Sequence, residues 1–363
     1  MLKIHYDGLI YMLQAAGGVN KYFVNIISRL PQDALPTLTT YQVKDPNLPH
    51  HPNLHRIDYP RFKPGLACSA LRPNFFRTIN LTNKYDVAHP TYYSLLSGQG
   101  LERYRCPVVI TLYDFILEKF RGKLDPTGAN STAKRNAILA ADKIICISEN
   151  TKRDLLKTYS VSENKIVVTH LASDLDLSMA GGDEACPERP YFLYVGGRTG
   201  YKNFAAILKS FALVADKHPD PILCVVGSAF DDAEHSSIAA LGLAQRVEHY
   251  GYATDSQLAK LYRHCVAFVY PSLYEGFGIP PLEAMSCGAP VIACNASSIP
   301  EVVGDAGLLF DSGSPEDLTE MLLTLLENSA ERDRLISLGK ERAEMFSWDK
   351  TAARTVEVYR SLT

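Results

Sequence analysis

Short runs of apolar and β-branched residues alternate with helical patterns along the whole chain of 363 residues. Such alternation predicts βαβ units, because two parallel strands need a crossover between them, usually a helix. The predicted helices include Lys21–Arg29, Ala205–Lys217, Asp255–Arg263, Glu316–Asn328 and Ala330–Met345, with a last helix ending at Ser361. The predicted strands include Leu2–His5, Val108–Leu112, Lys143–Ile147, Ile166–Thr169, Tyr191–Val195, Ile222–Val226, Ala267–Tyr270 and Val291–Cys294.

One break in this pattern divides the chain into nearly equal halves. Residues 173–190 are rich in Asp, Gly and Ser and contain Gly181-Gly182 and Pro187, which is typical of a linker. A chain of this length also favours two domains. We therefore predict an α/β protein with an N-terminal domain at 1–173, a linker at 174–190 and a C-terminal domain at 191–346.

Composition and the chain start indicate the compartment. No apolar run approaches the ~18 residues that span a bilayer. The first residues read as a strand and lack the long apolar core of a signal peptide. The eight cysteines are scattered without a Cys-x-x-Cys pair and read as reduced core residues. These features predict a cytoplasmic protein.

Residues 271–288 carry two carboxylates, Glu275 and Glu283, with seven residues between them. A helix should open near Pro280 or Pro281 and end by Gly288, which places Glu283 in its first turn. The N–H groups at that helix end suit an anion. The combination predicts a ligand with phosphate and polyhydroxyl parts, such as a nucleotide sugar. Between the two carboxylates lies the turn Gly276-Phe277-Gly278.

Two glycine-containing loops each follow a strand and open a helix. The segment 194–203 turns through Gly196 and Gly197 and presents Arg198 and Lys202, a planar fork and a point charge that both suit phosphate oxygens. Gly17-Gly18 follows the first strand but fits neither the Gly-x-Gly-x-x-Gly fingerprint nor a P-loop. By itself it predicts only a turn.

The spacing of Glu275 and Glu283 resembles the Glu-seven-residues-Glu motif of retaining glycosyltransferases with the GT-B fold, in particular glycosyltransferase family 4. Residues 197–203 match the family's Gly-Arg-x-x-x-Lys-Asn segment, and 17–19 match its Gly-Gly-Val loop. The resemblance implies two Rossmann-like parallel-sheet domains facing across a cleft. It also implies that the last helix, near 347–363, packs on the N-terminal domain.

The resemblance further implies roles for single residues. Glu275 would lie at the donor sugar, Glu283 would hold the ribose hydroxyls, and Arg198 with Lys202 would hold the pyrophosphate. The remaining donor-site residues implied are Gly17, Gly18, Gly197, Gly276, Phe277 and Gly278.

Asp114, at the end of a strand, is a candidate for acceptor activation or sugar contact. The alternative is that it caps a turn. Tyr113 stands where many members of the family have His, so its role stays open.

Residues 293–307 resemble the matching stretch of bacterial mannosyltransferases that build O-antigen in lipopolysaccharide biosynthesis. In that stretch Glu301 either caps a helix or touches ligand. The implied donor is GDP-mannose, with a UDP- or dTDP-sugar as the alternative. A sugar-nucleotide epimerase and a non-catalytic nucleotide-sugar-binding subunit are the other readings. We expect no cofactor and no metal, since the histidines and cysteines show no ligand spacing, and no nucleic acid partner.

Charge is divided unevenly along the chain. Residues 1–173 hold 22 basic and 13 acidic side chains, a net +9, whereas the rest holds 15 and 27, a net −12. The basic excess centres on residues 56–77, where aromatic residues are interleaved with Arg56, Arg61, Lys63, Arg72 and Arg77. This stretch predicts either an anionic membrane surface and a lipid-linked saccharide acceptor, or an ordinary solvated helix surface.

Overall fold

The strands of each half of the chain form parallel sheets whose order reverses beside the first strand of that half. The computed structural model describes residues 1–14, 17–41, 48–60, 62–63 and 65–363. Two compact units result, Met1–Leu171 with Trp348–Thr363, and Ala172–Ser347. Residues 174–190, expected as a linker, are part of the second unit.

All eight strands predicted above are present, with ends within two residues of the prediction. The strands are β1 (Leu2–Asp7), β2 (Ala34–Thr40), β3 (His55–Asp58), β4 (Val87–Ala88), β5 (Val109–Leu112), β6 (Lys143–Cys146), β7 (Ile166–Val168), β8 (Tyr191–Val195), β9 (Ile222–Val226), β10 (Val247–His249), β11 (Ala267–Tyr270), β12 (Val291–Cys294) and β13 (Gly307–Phe310).

The helices follow the predicted pattern, with additional short ones. They are α1 (Ile10–Leu13), α2 (Gly18–Ser28), α3 (Gly65–Thr82), α4 (Ile116–Lys119), α5 (Arg121–Leu124), α6 (Ala129–Ala140), α7 (Glu149–Thr158), α8 (Phe204–Lys217), α9 (Asp232–Ala240), α10 (Asp255–His264), α11 (Ile279–Ser286), α12 (Ile299–Val303), α13 (Pro315–Glu327), α14 (Ser329–Glu344) and α15 (Trp348–Arg360).

In the second unit the strand order is β10-β9-β8-β11-β12-β13, all parallel. Strands β9, β11 and β12 are buried along their whole length, which explains their continuous apolar sequence. The order reverses between β8 and β11. In open α/β sheets, ligands bind outside the carboxyl ends of the strands at such a reversal.

The first unit has the same arrangement. Its order is β3-β2-β1-β4 followed by β5-β6-β7, and a parallel bridge between Ala88 and Val108 connects the two ladders. The reversal lies between β1 and β4. Both units are therefore Rossmann-like, as predicted for the fold class.

Helix α15 belongs to the first unit and is held there by a buried polar network. The Tyr359 hydroxyl lies 2.6 Å from His89 Nδ1 and 3.1 Å from the Tyr6 hydroxyl. His89 Nε2 lies 2.9 Å from Thr111 Oγ1, on β5. The last helix is thus tied to β1, β5 and the segment after β4 by groups that satisfy one another away from water.

Helix α3 carries much of the basic-aromatic stretch 56–77, and its aromatic residues do not all face outward. Tyr59 and Phe76 are 3% and 1% exposed and belong to a core cluster with Cys68 and Ile79. The exposed apolar side chains are instead Phe62, Leu66 and Leu71. The sequence could not separate these two sets, because the helical apolar pattern of α3 is interrupted by Pro73.

The basic residues of the same stretch are also partly engaged. Arg56 pairs with Asp58, the Arg72 guanidinium lies 5.4 Å from the centre of the Tyr41 ring, and Arg77 donates to the carbonyl of Ser97. Lys63 is exposed, and Arg61 lies outside the described residues.

Three buried titratable groups of the first unit link its stability to pH. Burial lowers the pKa of His5 and of His89 to about 3 each, and burial raises the pKa of Asp7 to about 7. Between about pH 4 and 6.5, unfolding therefore takes up two protons on histidine and releases one from Asp7. The net uptake of one proton makes the free energy of unfolding rise with pH in this window.

We predict that Asp7→Asn steepens this dependence. Removing the proton that Asp7 releases leaves an uptake of two protons, so the slope of unfolding free energy against pH increases by about 1.4 kcal/mol per pH unit. Urea unfolding of the first unit between pH 4.5 and 6 measures it, with Asp33→Asn as the exposed control. A slope unchanged by Asp7→Asn contradicts the assignment.

Candidate active site

Glycines line the carboxyl ends of neighbouring strands in the second unit. Gly196 follows β8 with φ +122°, and Gly227 follows β9 with φ +146°. A Cβ on Gly227 would lie 2.7 Å from the carbonyl oxygen of Gly196, so this close approach of two backbones requires glycine. A Cβ on Gly197 would meet no atom within 4 Å. The loop therefore leaves open space beside its backbone at the sheet edge.

Arg198, at the end of this loop, is buried in an ion pair. Its Nε and Nη2 donate to the two carboxylate oxygens of Glu234 at 2.7 and 3.0 Å, and Nη2 also donates to the carbonyl of Ala229. The guanidinium lies 4.8 Å from the centre of the Phe230 ring. Its Nη1 group is buried and has no partner among the described residues. In this structure Arg198 is thus occupied, and its side chain is only 4% exposed.

Glu234 also takes part in the N-terminal cap of α9, which determines the position of its carboxylate. It is the third residue of α9, and its carboxylate accepts the backbone N–H of Asp231 while the Asp231 side chain accepts the N–H of Glu234. This capping box fixes the position of the carboxylate through hydrogen bonds that do not involve Arg198. Glu234 was not among the residues predicted from the sequence. The signal available was the Asp-x-x-Glu pattern at 231–234.

Lys202 and Glu275 meet at the sheet reversal. Lys202 Nζ lies 2.7 Å from Glu275 Oε1, which joins the loop after β8 to the loop after β11. Their side chains are 21% and 11% exposed. Burial and the neighbouring Glu275 carboxylate raise the pKa of the Tyr270 phenol well above its ordinary value, so Tyr270 stays neutral beside the pair. Two of the residues predicted for the donor site are therefore in direct contact.

The loop that carries Glu275 is held by the segment after β12. The Ser297 hydroxyl accepts the N–H of Glu275 at 2.8 Å, and the Ser298 hydroxyl donates to the carbonyls of Glu275 and Phe277 at 2.9 and 2.6 Å. Ser297 has a left-handed backbone, with φ +54°. This segment was singled out above as a pointer to the sugar. Ser298, the N-cap of α12, makes no capping hydrogen bond with its own side chain.

Helix α11 begins earlier than predicted. It opens at Ile279 with Gly278 as N-cap, so Glu283 is its fifth residue and lies in the second turn. Pro280 and Pro281 have no N–H, and of the first three helical residues only Ile279 can donate to an anion. The predicted anion site at this helix end is correspondingly weaker than a full helix terminus.

The end of α11 agrees with the prediction. Gly288 has φ +77°, Gly288 N–H donates to the carbonyl of Met285, and Ala289 N–H donates to that of Ala284, which is a Schellman motif. Glu283 is 8% exposed and accepts a hydrogen bond from the Tyr262 hydroxyl at 3.4 Å.

The other predicted residues belong to the first unit. Gly17 is extended at φ 166° and is the N-cap of α2, where Gly18 is the first residue. Asp114 follows β5, and its Oδ1 accepts the N–H of Ile116 at 2.9 Å, so it does cap a turn. Its side chain is still 30% exposed. The structure therefore leaves Asp114 open to a ligand as well.

Sequence reasoning did not find Lys134, which lies beside Asp114. Its side chain is 1% exposed, and Nζ donates to Glu118 at 2.9 Å and to the backbone carbonyl of Asp114 at 2.8 Å. A single lysine in the polar pattern of α6 carries no signal of burial. Among the described residues, no group of three or more His, Cys, Asp or Glu is arranged to hold a metal ion.

Both halves of the chain match known family models. Residues 16–177 match the model of Glycosyltransferase Family 4, and residues 184–342 match that of Glycosyl transferases group 1. The chain belongs to glycosyltransferase family 4. Its two Rossmann-like units are those of the GT-B fold, as expected from the motifs around Glu275 and Lys202.

Named relatives agree with this family. The O-antigen chain mannosyltransferase B of Escherichia coli is 30% identical over 234 residues, which cover 61% of this chain and 61% of that relative, less than two thirds of its length. The D-inositol 3-phosphate glycosyltransferase of Corynebacterium glutamicum (strain R) is 28% identical over 302 residues, 76% of this chain and 72% of that one. The solved sucrose-phosphate synthase from Thermosynechococcus elongatus superposes with a TM-score of 0.75 at 21% identity, covering 100% and 99% of the two chains.

We predict that Glu234 acts through Arg198 on the turnover of a nucleotide sugar. Arg198→Ala and Lys202→Ala should each lower kcat/KM by about 10²–10³-fold, because each removes a cation from developing phosphate charge. Glu234→Ala should lower it by about tenfold in the wild type but by less than about twofold when Arg198 is already Ala.

Steady-state kinetics of the two single variants and the double variant test this coupling. Asp232→Ala is the matched control. Asp232 is an exposed carboxylate two residues before Glu234 in the first turn of α9, and its loss should leave kcat/KM unchanged. Additive losses in the double variant would show that Glu234 does not act through Arg198. Normal kinetics of Arg198→Ala would remove the arginine from the phosphate site.

Proposed function

We propose that the protein is a retaining glycosyltransferase that moves a sugar from a nucleotide sugar to an acceptor hydroxyl in polysaccharide biosynthesis. The contact between Lys202 and Glu275 at the sheet reversal carries this proposal. It puts a cation for a phosphate and a carboxylate for sugar hydroxyls within one hydrogen bond of each other. That is the juxtaposition a nucleotide sugar requires at the bond that breaks.

Mannose from GDP-mannose is the first candidate for the donor. It is supported by the name of the Escherichia coli relative, an O-antigen chain mannosyltransferase, and by the likeness of residues 293–307. The names of the relatives point to two acceptor classes, an O-antigen chain and D-inositol 3-phosphate. A saccharide or lipid-linked saccharide is the acceptor we propose.

The proposed step keeps the configuration at the anomeric carbon. The acceptor oxygen bonds to that carbon on the face from which the phosphate oxygen departs, and the hydroxyl proton passes to the departing phosphate. Negative charge grows on the leaving nucleoside diphosphate, where Lys202 and Arg198 stabilise it. Each cation is paired with a carboxylate in this structure. The diphosphate competes with Glu275 for Lys202, whereas Arg198 keeps its pair with Glu234 and offers its Nη1 group, which has no partner among the described residues.

A thermal-shift comparison of GDP, UDP, ADP and dTDP tests the donor site. The nucleotide of the true donor, at about 100 times its dissociation constant, should stabilise the protein by about 2.7 kcal/mol. We expect GDP to give the largest shift. Glu283→Ala should remove most of it, because the ribose hydroxyls lose their carboxylate acceptor, whereas Glu275→Ala should leave it nearly intact.

Transfer is then measured with the sugar nucleotide of the base that binds. Failure of all four nucleotides to shift the melting temperature would reject the proposal, and equal losses in the two variants would mean that the roles of the two glutamates are misassigned. NMR of the product gives the configuration at its anomeric carbon, and comparison with the donor separates retention from inversion.

We predict that transfer survives EDTA. Lys202 and Arg198 supply the positive charge that a divalent ion supplies in metal-dependent transferases, so we propose that no metal takes part. Activity measured after EDTA treatment and dialysis should stay within about twofold of the untreated enzyme. Full loss with EDTA, reversed by Mg²⁺ or Mn²⁺, would contradict this.

We also propose that the start of α3 docks on an anionic membrane surface. Phe62, Leu66 and Leu71 are 40%, 88% and 53% exposed, and exposed Lys63 lies among them. This is the combination of apolar anchors and positive charge that interfacial helices use. None of the described helices combines the length and apolar composition needed to cross a bilayer.

Co-sedimentation with phosphatidylglycerol-containing liposomes should show binding that falls steeply between about 50 and 300 mM salt, as screening shortens the Debye length. Leu66→Ser with Lys63→Ser should weaken it strongly. Leu213→Ser is the control, since Leu213 is an exposed leucine, at 48%, on α8 in the other unit. Wild-type protein that ignores these liposomes at low salt would leave α3 as a solvated surface.

A further inference from the structure

A cavity of about 280 Å³ opens in the first unit, beside the sheet reversal between β1 and β4. Its walls are largely aromatic and aliphatic, with few polar groups, as in most pockets for small organic ligands. The tyrosines are Tyr92, Tyr93 and Tyr113, and Asp114 and Lys134 are the charged lining residues among those the structure describes.

The charge of this cavity is not basic, although the N-terminal half of the chain is. Lys134 Nζ is 2.9 Å from Glu118 and 3.9 Å from the Asp114 carboxylate. One buried cation between two carboxylates leaves the cluster with a net charge of −1. Two of the three N–H donors of this lysine already point to Glu118 and to the Asp114 carbonyl, so it offers an anionic ligand less than a free ammonium group does.

The tyrosines supply what a neutral polyhydroxyl ligand needs. The Tyr113 hydroxyl is buried and has no partner among the described residues. Burial raises its pKa well above the ordinary value, so the group stays protonated and able to donate. A buried hydroxyl without a partner is unfavourable until a ligand supplies one. The rings of Tyr92 and Tyr93, 4.9 Å apart, offer apolar surface to the less polar face of a sugar.

We propose that this cavity binds the terminal sugar of the acceptor and selects an uncharged saccharide over a sugar or polyol that carries a phosphate. The proposal rests on the transferase function proposed above and decides between the two acceptor classes raised there. A phosphate monoester carries about −1.5 to −2 charges at neutral pH. Placed against Asp114 and Glu118 with Lys134 already paired, it meets repulsion in a poorly solvated site. Neutral hydroxyls instead accept from Tyr113 and donate to Asp114.

The test uses matched ligand pairs that differ by one phosphate. Binding of methyl α-mannoside and of its 6-phosphate, and of myo-inositol and its 3-phosphate, is measured on the full chain by saturation-transfer NMR without donor. We expect the neutral member of each pair to bind at least about tenfold more tightly, because the phosphate of the other member is repelled by the carboxylates of Asp114 and Glu118. Tighter binding of the phosphorylated members would overturn the proposal, as would no binding of either sugar.

Variants locate the effect. Tyr113→Phe should raise the acceptor KM and Kd by about 2–10-fold, since one neutral hydrogen bond is lost, and leave the donor KM unchanged. Glu118→Gln should reduce the preference for the neutral ligand by about fivefold or more, because one of the repelling charges is gone. Tyr252→Phe, 85% exposed in the second unit, is the control and should change neither.

The two proposals fail in different ways. If nucleoside diphosphates bind and sugar is transferred, but Tyr113→Phe and Glu118→Gln leave acceptor binding and selectivity unchanged, only the cavity assignment is wrong. If no nucleoside diphosphate binds the second unit while the neutral sugars bind the cavity as expected, the transferase function is wrong and the neutral-sugar site stands.

Discussion

The reversal of strand order in each parallel sheet is the constraint on which the rest of the structure depends. Crossover helices on one side of the reversal pack on one face of the sheet, and those on the other side pack on the opposite face. The two loops that leave the adjacent strands at this point therefore diverge and leave a crevice between them, which side chains of both loops line. In the second unit those loops are the ones after β8 and β11, and they carry Lys202 and Glu275. Chain topology thus brings together two side chains that are 73 positions apart.

Electrostatics then explains why the site holds its cations before any ligand arrives. An unpaired guanidinium or ammonium that is mostly buried is unfavourable, so Arg198 and Lys202 each have a carboxylate partner at 2.7 Å. On the function proposed above, a diphosphate would replace Glu275 as the partner of Lys202. The freed Glu275 carboxylate would then accept hydrogen bonds from hydroxyl groups of the same ligand. Pre-pairing would in this way let one ligand engage both members of the Lys202–Glu275 pair.

The sequence predicted eight of the thirteen strands that the structure describes. Among them are β9, β11 and β12, which are buried along their whole length and read as uninterrupted apolar runs. The sequence failed where a polar residue owes its position to tertiary contacts. Lys134 and Glu234 look like solvated residues on polar helices, and nothing in local spacing shows that one is buried and the other clamps an arginine. The start of α11 was misplaced for a local reason. Gly278, at φ +128°, is the N-cap, so the helix begins at Ile279, one residue before the first proline. For Tyr59 and Phe76 the two readings stayed open until the structure showed both to be buried, because a basic-aromatic mixture cannot show which of its members face inward.

The N-terminal half has a net positive charge although its cavity is acidic, because the positive and negative groups lie in different places. The excess of positive charge lies on the outside, in part around Lys63 at the start of α3, whereas the lining cation Lys134 is neutralised by Glu118 and Asp114. A lipid-linked saccharide has the same division, with anionic phosphate near the bilayer and uncharged sugars at the far end. A surface that attracts the anionic part and a cavity that repels phosphate would together orient such a molecule, with its terminal sugar in the cavity. Charge segregation within one unit can therefore specify which end of an acceptor is presented for transfer.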